Sequence, residues 1–143
     1  MAKDINVGIE MIENQDFLNA YNYFNDILKD ESNNIDAKYY CAFVDFFHLR
    51  KELFNDYTYF KYLVDKKTKY KETVLPLLVI ACDELSLSSE VIKYGRMAIS
   101  LDNPYLSDVR NLLIKALALS NDSNNHVEAL ALIDVLIKDD EDT

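Results

Sequence analysis

Apolar residues recur along this chain every three or four positions, the spacing that gathers side chains on one face of an α-helix. Between Gln15 and Leu28 the residues Phe17, Ala20, Phe24, Ile27 and Leu28 form one stripe behind a turn-forming Gln-Asp pair. Val7, Gly8 and Met11 mark a shorter helix before it. A small residue on each helix suits a hairpin whose two helices touch closely. The same period predicts eight helices, over about Asp4–Glu13, Asp16–Lys29, Asp36–Leu49, the stretch after Asn55-Asp56 to Asp65, Lys71–Leu85, Ser88–Leu101, Tyr105–Leu119 and Val127–Lys138. Asn55-Asp56 reads as an N-cap, where a side-chain oxygen takes a free helix N–H. Pro76 reads as an early residue of its helix, and Pro104 ends the helix before it. The fifth helix is apolar on nearly every side from Val74 to Ala81, the pattern of the most buried element. Strand-like alternation is nowhere evident, and short connections predict antiparallel neighbours.

Composition agrees with an all-α chain. Only two Gly and two Pro occur in 143 residues, too few for glycine-rich phosphate loops or tight β-turns. Half the residues are hydrophobic, which suits one folded domain spanning residues 1–143. The formal net charge of −10 disfavours nucleic acid as a partner. Lys61, Lys66, Lys67, Lys69 and Lys71 form a basic segment read as a solvated helix end and loop, and Asp139, Asp140, Glu141 and Asp142 form an acidic tail. Cys41 and Cys82 sit in apolar stripes without metal-type spacing and read as buried, reduced thiols. No apolar run approaches the ~18 residues that span a bilayer, and no secretory leader opens the chain, so the expectation is a cytoplasmic protein with no membrane role.

The helix pairs repeat. Aligning Ala20 with Phe60, Val91 and Ala129 gives offsets of 40, 31 and 38, which average near the ~34-residue period of tetratricopeptide repeats. Val7-Gly8, Phe17, Ala20, Phe24 and Ile27 carry the resemblance best, and Ala98-Ile99-Ser100-Leu101-Asp102 resembles the end of such a repeat. The chain thus resembles the tetratricopeptide repeat (TPR) family in degenerate form, lacking Trp and most of the family's Gly and Pro. The resemblance implies an antiparallel helical-hairpin solenoid of four repeats, near 1–34, 35–70, 71–104 and 105–140. It also implies that the first helix of each pair lines a concave surface.

The first helices hold more apolar residues than one core face needs. With Val7, Gly8 and Met11 on the core face, Ile5, Ile9 and Ile12 form a neighbouring stripe, and Tyr40, Val44 and Phe47 do so in the third helix. Arg110 takes the corresponding place in the seventh. These seven residues are the candidate partner-binding set, suited to an amphipathic helix or an extended peptide. Ten of the 17 aromatics fall between Tyr39 and Tyr62. Phe43, Phe46, Phe54 and Phe60 read as core, and Tyr59 and Tyr62 as surface. The family's carboxylate-gripping Lys and Asn are replaced by Ile5 and Ile9. His48 and His126 belong to no catalytic arrangement, and Glu10 and Glu13 read as a solvated face, so neither enzyme activity, metal nor cofactor is expected. The eighth helix, with Leu130, Leu132, Ile133, Val135, Leu136 and Ile137, is too apolar for a solvated end. Self-association through that C-terminal hairpin, as a homodimer or a longer stack, is the second expectation.

Overall fold

A computed structural model describes residues 3–141, with side chains to Lys138. Among these residues the fold is all-α. Its helices are α1 (Ile5–Glu13), α2 (Phe17–Asp30), α3 (Ile35–Val44), α4 (Leu53–Asp65), α5 (Lys71–Glu84), α6 (Ser88–Ala98), α7 (Leu106–Leu119) and α8 (Ser123–Glu141). A π-helical turn, Asp45–Leu49, continues α3. The acidic side chains at 139–142 lie outside the described residues.

The chain divides into two compact units, Met1–Tyr62 and Leu63–Thr143, and the division falls within the sequence of α4. In the first unit α2 packs against α1 and α3, and α1 also touches α3. In the second unit α5 and α6 pair, α7 and α8 pair, and α7 touches both α5 and α6. First helices of successive pairs therefore touch inside each unit.

The second helices start at Phe17, Leu53, Ser88 and Ser123. Their starts are 36, 35 and 35 residues apart, a far more even period than the aligned small residues suggest. Ala20, Asp56 and Val91 are each the fourth residue of their helix and each is buried. Phe60 is the eighth residue of α4 and matches Phe24, not Ala20. The extra residue of the first interval is explained by length. The first helix of the second pair, with its π turn, runs 15 residues from Ile35 to Leu49, whereas α5 and α7 have 14 each. A π turn holds one more residue per turn than its surroundings and absorbs the insertion locally.

The turns inside the first three pairs each contain a residue in the left-handed region: Gln15 (φ 62°), Arg50 (φ 63°) and Ser86 (φ 61°). None is glycine. Gly8 has a different task. A Cβ there would overlap the Phe24 ring, so its missing side chain is what lets α1 settle on α2.

The core of the first unit joins Ala20, Phe24, Ile27, Ala37 and Cys41, with Ile5, Ile9, Met11, Ile12 and Tyr40 packed against it. Val7 was expected on this face but is 42 % exposed. Helix α1 is turned so that Gly8 leads and the isoleucines follow. Phe54, expected in the core, is 65 % exposed because it lies on the outer side of α4's first turn. In the second unit α5 is buried continuously from Val74 to Val79, as its all-round apolarity predicts. Pro76 lies inside α5, five residues after its start, rather than at its edge. Leu113, Leu117 and Ala129 join α7 to α8. Tyr94 is wholly buried and its hydroxyl donates to Asp65 Oδ1 at 2.9 Å. No helix among the described residues is long and apolar enough to cross a membrane.

Candidate functional site

A cleft of about 510 Å³ opens in the first unit, lined by Asn33, Ile35, Lys38, Tyr59 and Tyr62. Asn34 positions one wall. Its side chain caps α3 by accepting the Ala37 N–H at 3.0 Å, which sets Ile35 and Lys38 three residues apart along one helix face. The other wall comes from α4, where Tyr59 and Tyr62 have the same spacing. Their rings stack with centroids 5.8 Å apart and planes 21° apart. Lys38 Nζ lies 5.9 Å from the Tyr59 ring centre, within cation–π range. Among the described residues Lys38 has no carboxylate partner.

Burial, with smaller contributions from Tyr62 and Asp36, pushes the Tyr59 hydroxyl up to about 12. It is therefore protonated at neutral pH and can donate. The cleft combines an aromatic platform, an aliphatic edge at Ile35 and a cation without a counter-ion. Such a surface can hold an apolar side chain beside a negatively charged group. Nothing in it resembles a nucleophile with its base.

The seven residues singled out from the sequence are placed differently. Ile5, Ile9, Ile12 and Tyr40 come together, but against the core of the first unit, half-buried. Tyr40 stacks on the buried Phe24 ring at 5.2 Å. Val44 has no exposed surface, so it packs inside and cannot meet a partner. Phe47 is half-buried, its ring 5.3 Å from Phe43 and 5.1 Å from Phe46. Arg110 belongs to α7 in the second unit and is half-buried. Tyr59 and Tyr62, read from the sequence as surface aromatics, do line the cleft. Asn33, Ile35 and Lys38 were not anticipated. The one available signal was the Ile-x-x-Lys spacing at the start of a capped helix.

A second feature of the first unit has no counterpart in the sequence reading. Asp45 and Asp56 are both buried, at 1 % and 7 % exposure, and hydrogen-bond each other. Asp45 also accepts the N–H of Lys51 at 3.0 Å and of Glu52 at 2.7 Å, and so caps the start of α4 from the preceding π turn. This overturns the N-cap reading of Asn55-Asp56. Leu53 already opens the helix, Asp56 lies within its first turn, and Asn55 instead donates to Glu52 at 3.0 Å. Burial alone would raise Asp45. The Asp56 hydrogen bond, the two N–H donors and the Lys51 charge outweigh it and hold Asp45 below the usual carboxylate range. Asp56 goes the other way. Burial, the Asp45 hydrogen bond and the charges of Asp45 and Glu52 push it up to about 9. Its Oδ2 is buried without a donor in reach. The pair therefore holds one proton at neutral pH, on Asp56. Cys41 is a buried free thiol, raised to about 12 by burial and by Asp56 and Asp45. No group of His, Cys, Asp and Glu among the described residues is arranged to hold a metal ion.

No family model, no curated protein and no solved structure matches the chain.

Proposed function

We propose that this protein is a non-enzymatic interaction module of TPR-like build that holds an extended segment of a partner protein. The observation that carries the proposal is the cleft lined by Tyr59, Tyr62, Ile35 and Lys38. Stacked tyrosines offer broad contact area at a low entropic cost, and such residues dominate binding energetics where they are centrally placed. The Lys38 ammonium, which meets no carboxylate among the described residues, favours a segment with an acidic residue next to an aromatic or aliphatic anchor. The TPR-like reading draws support from the 35–36-residue period of the second helices and from contacts between successive first helices. A cytoplasmic setting goes with the proposal, since both cysteines are buried thiols outside any disulfide.

Selection of random twelve-residue peptides on the immobilised protein tests this. Enriched peptides should pair an aromatic or branched aliphatic residue with Asp or Glu. They should bind at least tenfold more weakly to a Tyr59→Ala/Tyr62→Ala variant of unchanged helicity. Lys38→Gln should weaken acidic peptides more than their amide analogues. Equal binding to the wild-type and double-alanine proteins would place the peptide site elsewhere.

A further inference from the structure

The joint between the π turn and α4 hangs on one side chain. Asp45 accepts the Arg50 N–H on its main-chain carbonyl, and the Lys51 and Glu52 N–H groups on its two carboxylate oxygens. Arg50 lies in the left-handed region, so the chain turns sharply where it leaves the π turn. Asp56, in the first turn of α4, completes the joint from the other side. Its carboxyl hydrogen-bonds Asp45, and its N–H donates to the Glu52 carbonyl at 2.9 Å. Both carboxyls are buried, and Asp56 Oδ2 has no donor in reach. Two buried carboxylates in contact repel each other strongly when both are ionised, so the joint is held only while one proton stays between them.

We propose that the Asp45–Asp56 pair is a proton-operated latch on α4, closed while the two carboxyls share a proton and released, with that proton passing to solvent, as the pH rises. The surrounding charges agree with this direction. Glu52, in the segment before α4, adds to the repulsion on Asp56, whereas the Lys51 charge and the two N–H donors keep Asp45 the ionised partner. Cys41 of α3 feels both carboxylates and stays a thiol, its Sγ turned to Asn25 Oδ1 and the Tyr21 carbonyl of α2. The Arg50 guanidinium donates to the Phe46 carbonyl at 2.9 Å. Asp26 of α2 is held by Lys3 and Lys29. His48, on the π turn, stacks on Phe17, and burial keeps it below the ordinary imidazole range. In the closed latch burial, the Asp45 hydrogen bond and the charges of Asp45 and Glu52 push Asp56 up to about 9. Once solvated it titrates near 3.9, so between these values opening becomes about tenfold more favourable per pH unit. Tyr59 and Tyr62 follow Asp56 by three and six residues on α4, and release of the first turn loosens the tyrosine wall of the cleft. That last consequence rests on the cleft's being the binding site, and the latch itself does not.

Hydrogen exchange of the full chain, followed by NMR between pH 6.5 and pH 8, reads the latch without any peptide and with His48 neutral. Relative to unfolded-chain rates, protection of the Lys51, Glu52 and Tyr59 N–H groups should fall about 10–30-fold over that range. In Asp56→Asn it should change less than threefold. The Phe24 and Ile27 N–H groups, in the core of the same unit, report its unfolding and should be at least tenfold better protected at every pH. Equal protection of the two sets means that the joint opens only when the unit unfolds, and overturns the latch. So does protection indifferent to pH, or an Asp56→Asn variant that follows the wild type. Should Asp56→Asn fail to fold, the carboxyl-carbon shift of Asp56 in the wild type decides: protonated at pH 7 supports the latch, and ionised overturns it. A latch that opens as described in a protein that selects no peptide refutes the cleft reading alone.

Discussion

Replacing Asp56 with Asn is expected to stabilise the protein, and to do so increasingly as the pH rises. In the unfolded chain an aspartate titrates near 3.9. In the folded chain burial, the hydrogen bond to Asp45 and the charges of Asp45 and Glu52 push Asp56 up to about 9. Between these values the unfolded chain loses the Asp56 proton and the folded chain keeps it. The folded state is thus favoured in full below about 3.9, and stability falls by about 1.4 kcal/mol per pH unit as the pH climbs towards the folded value. From pH 5 to pH 7 one such group removes about 2.7 kcal/mol. Asn at position 56 retains an N–H donor for Asp45 and has no proton to lose. Asp45 does not confuse the window, because its folded value is depressed and its contribution disappears only as the pH falls below the ordinary carboxylate range. Cys41, raised to about 12, stays protonated throughout. Urea unfolding of both proteins at pH 5, 6, 7 and 8, followed by circular dichroism, measures the difference. It should widen by about 1–2.7 kcal/mol between pH 5 and pH 7 and level off above pH 9. A difference that stays constant from pH 5 to pH 8 would refute the shared-proton account of the pair.

Two further substitutions probe the backbone. Gly8→Ala should destabilise by about 1–3 kcal/mol in thermal or chemical unfolding, because the added methyl must displace the buried Phe24 ring. Ser86→Gly should stabilise by about 0.5–1 kcal/mol, since Ser86 holds φ 61° at the α5–α6 turn and glycine adopts that region without strain.

The stripes of Phe17, Ala20, Phe24 and Ile27 made the helices and their pairing legible from sequence, because one residue type in three or four positions is all that a buried face requires. The register between pairs was not legible. Asp56 occupies the position that Ala20 and Val91 fill elsewhere, and a carboxylate there hides the repeat from any search for small apolar residues. Its acceptability depends on a proton shared with Asp45, eleven residues away, which no local pattern announces. Val44 and Tyr40 look like a spare surface because the pattern does not announce that both α1 and α2 pack on α3, which buries more than one of its sides. The cleft was half visible. Tyr59 and Tyr62 stand out in an aromatic cluster, but Lys38 acquires meaning only once α3 and α4 are set side by side and no carboxylate meets it. The exposed apolar face of α8 was the easiest to foresee, since six large aliphatic residues fall between Leu130 and Ile137.

The π turn at Asp45–Leu49 also bears on how such a chain tolerates changes in length. One residue added to an α-helix rotates everything after it by about 100° and would turn each later apolar face towards water. Here the surplus residue is stored as a bulge, and Ser88 and Ser123 still open their helices at an even spacing of 35. The bulge acts as a buffer between α3 and the helix that follows it. An insertion or deletion accommodated there stays a local event, and the frame of the downstream helices is preserved.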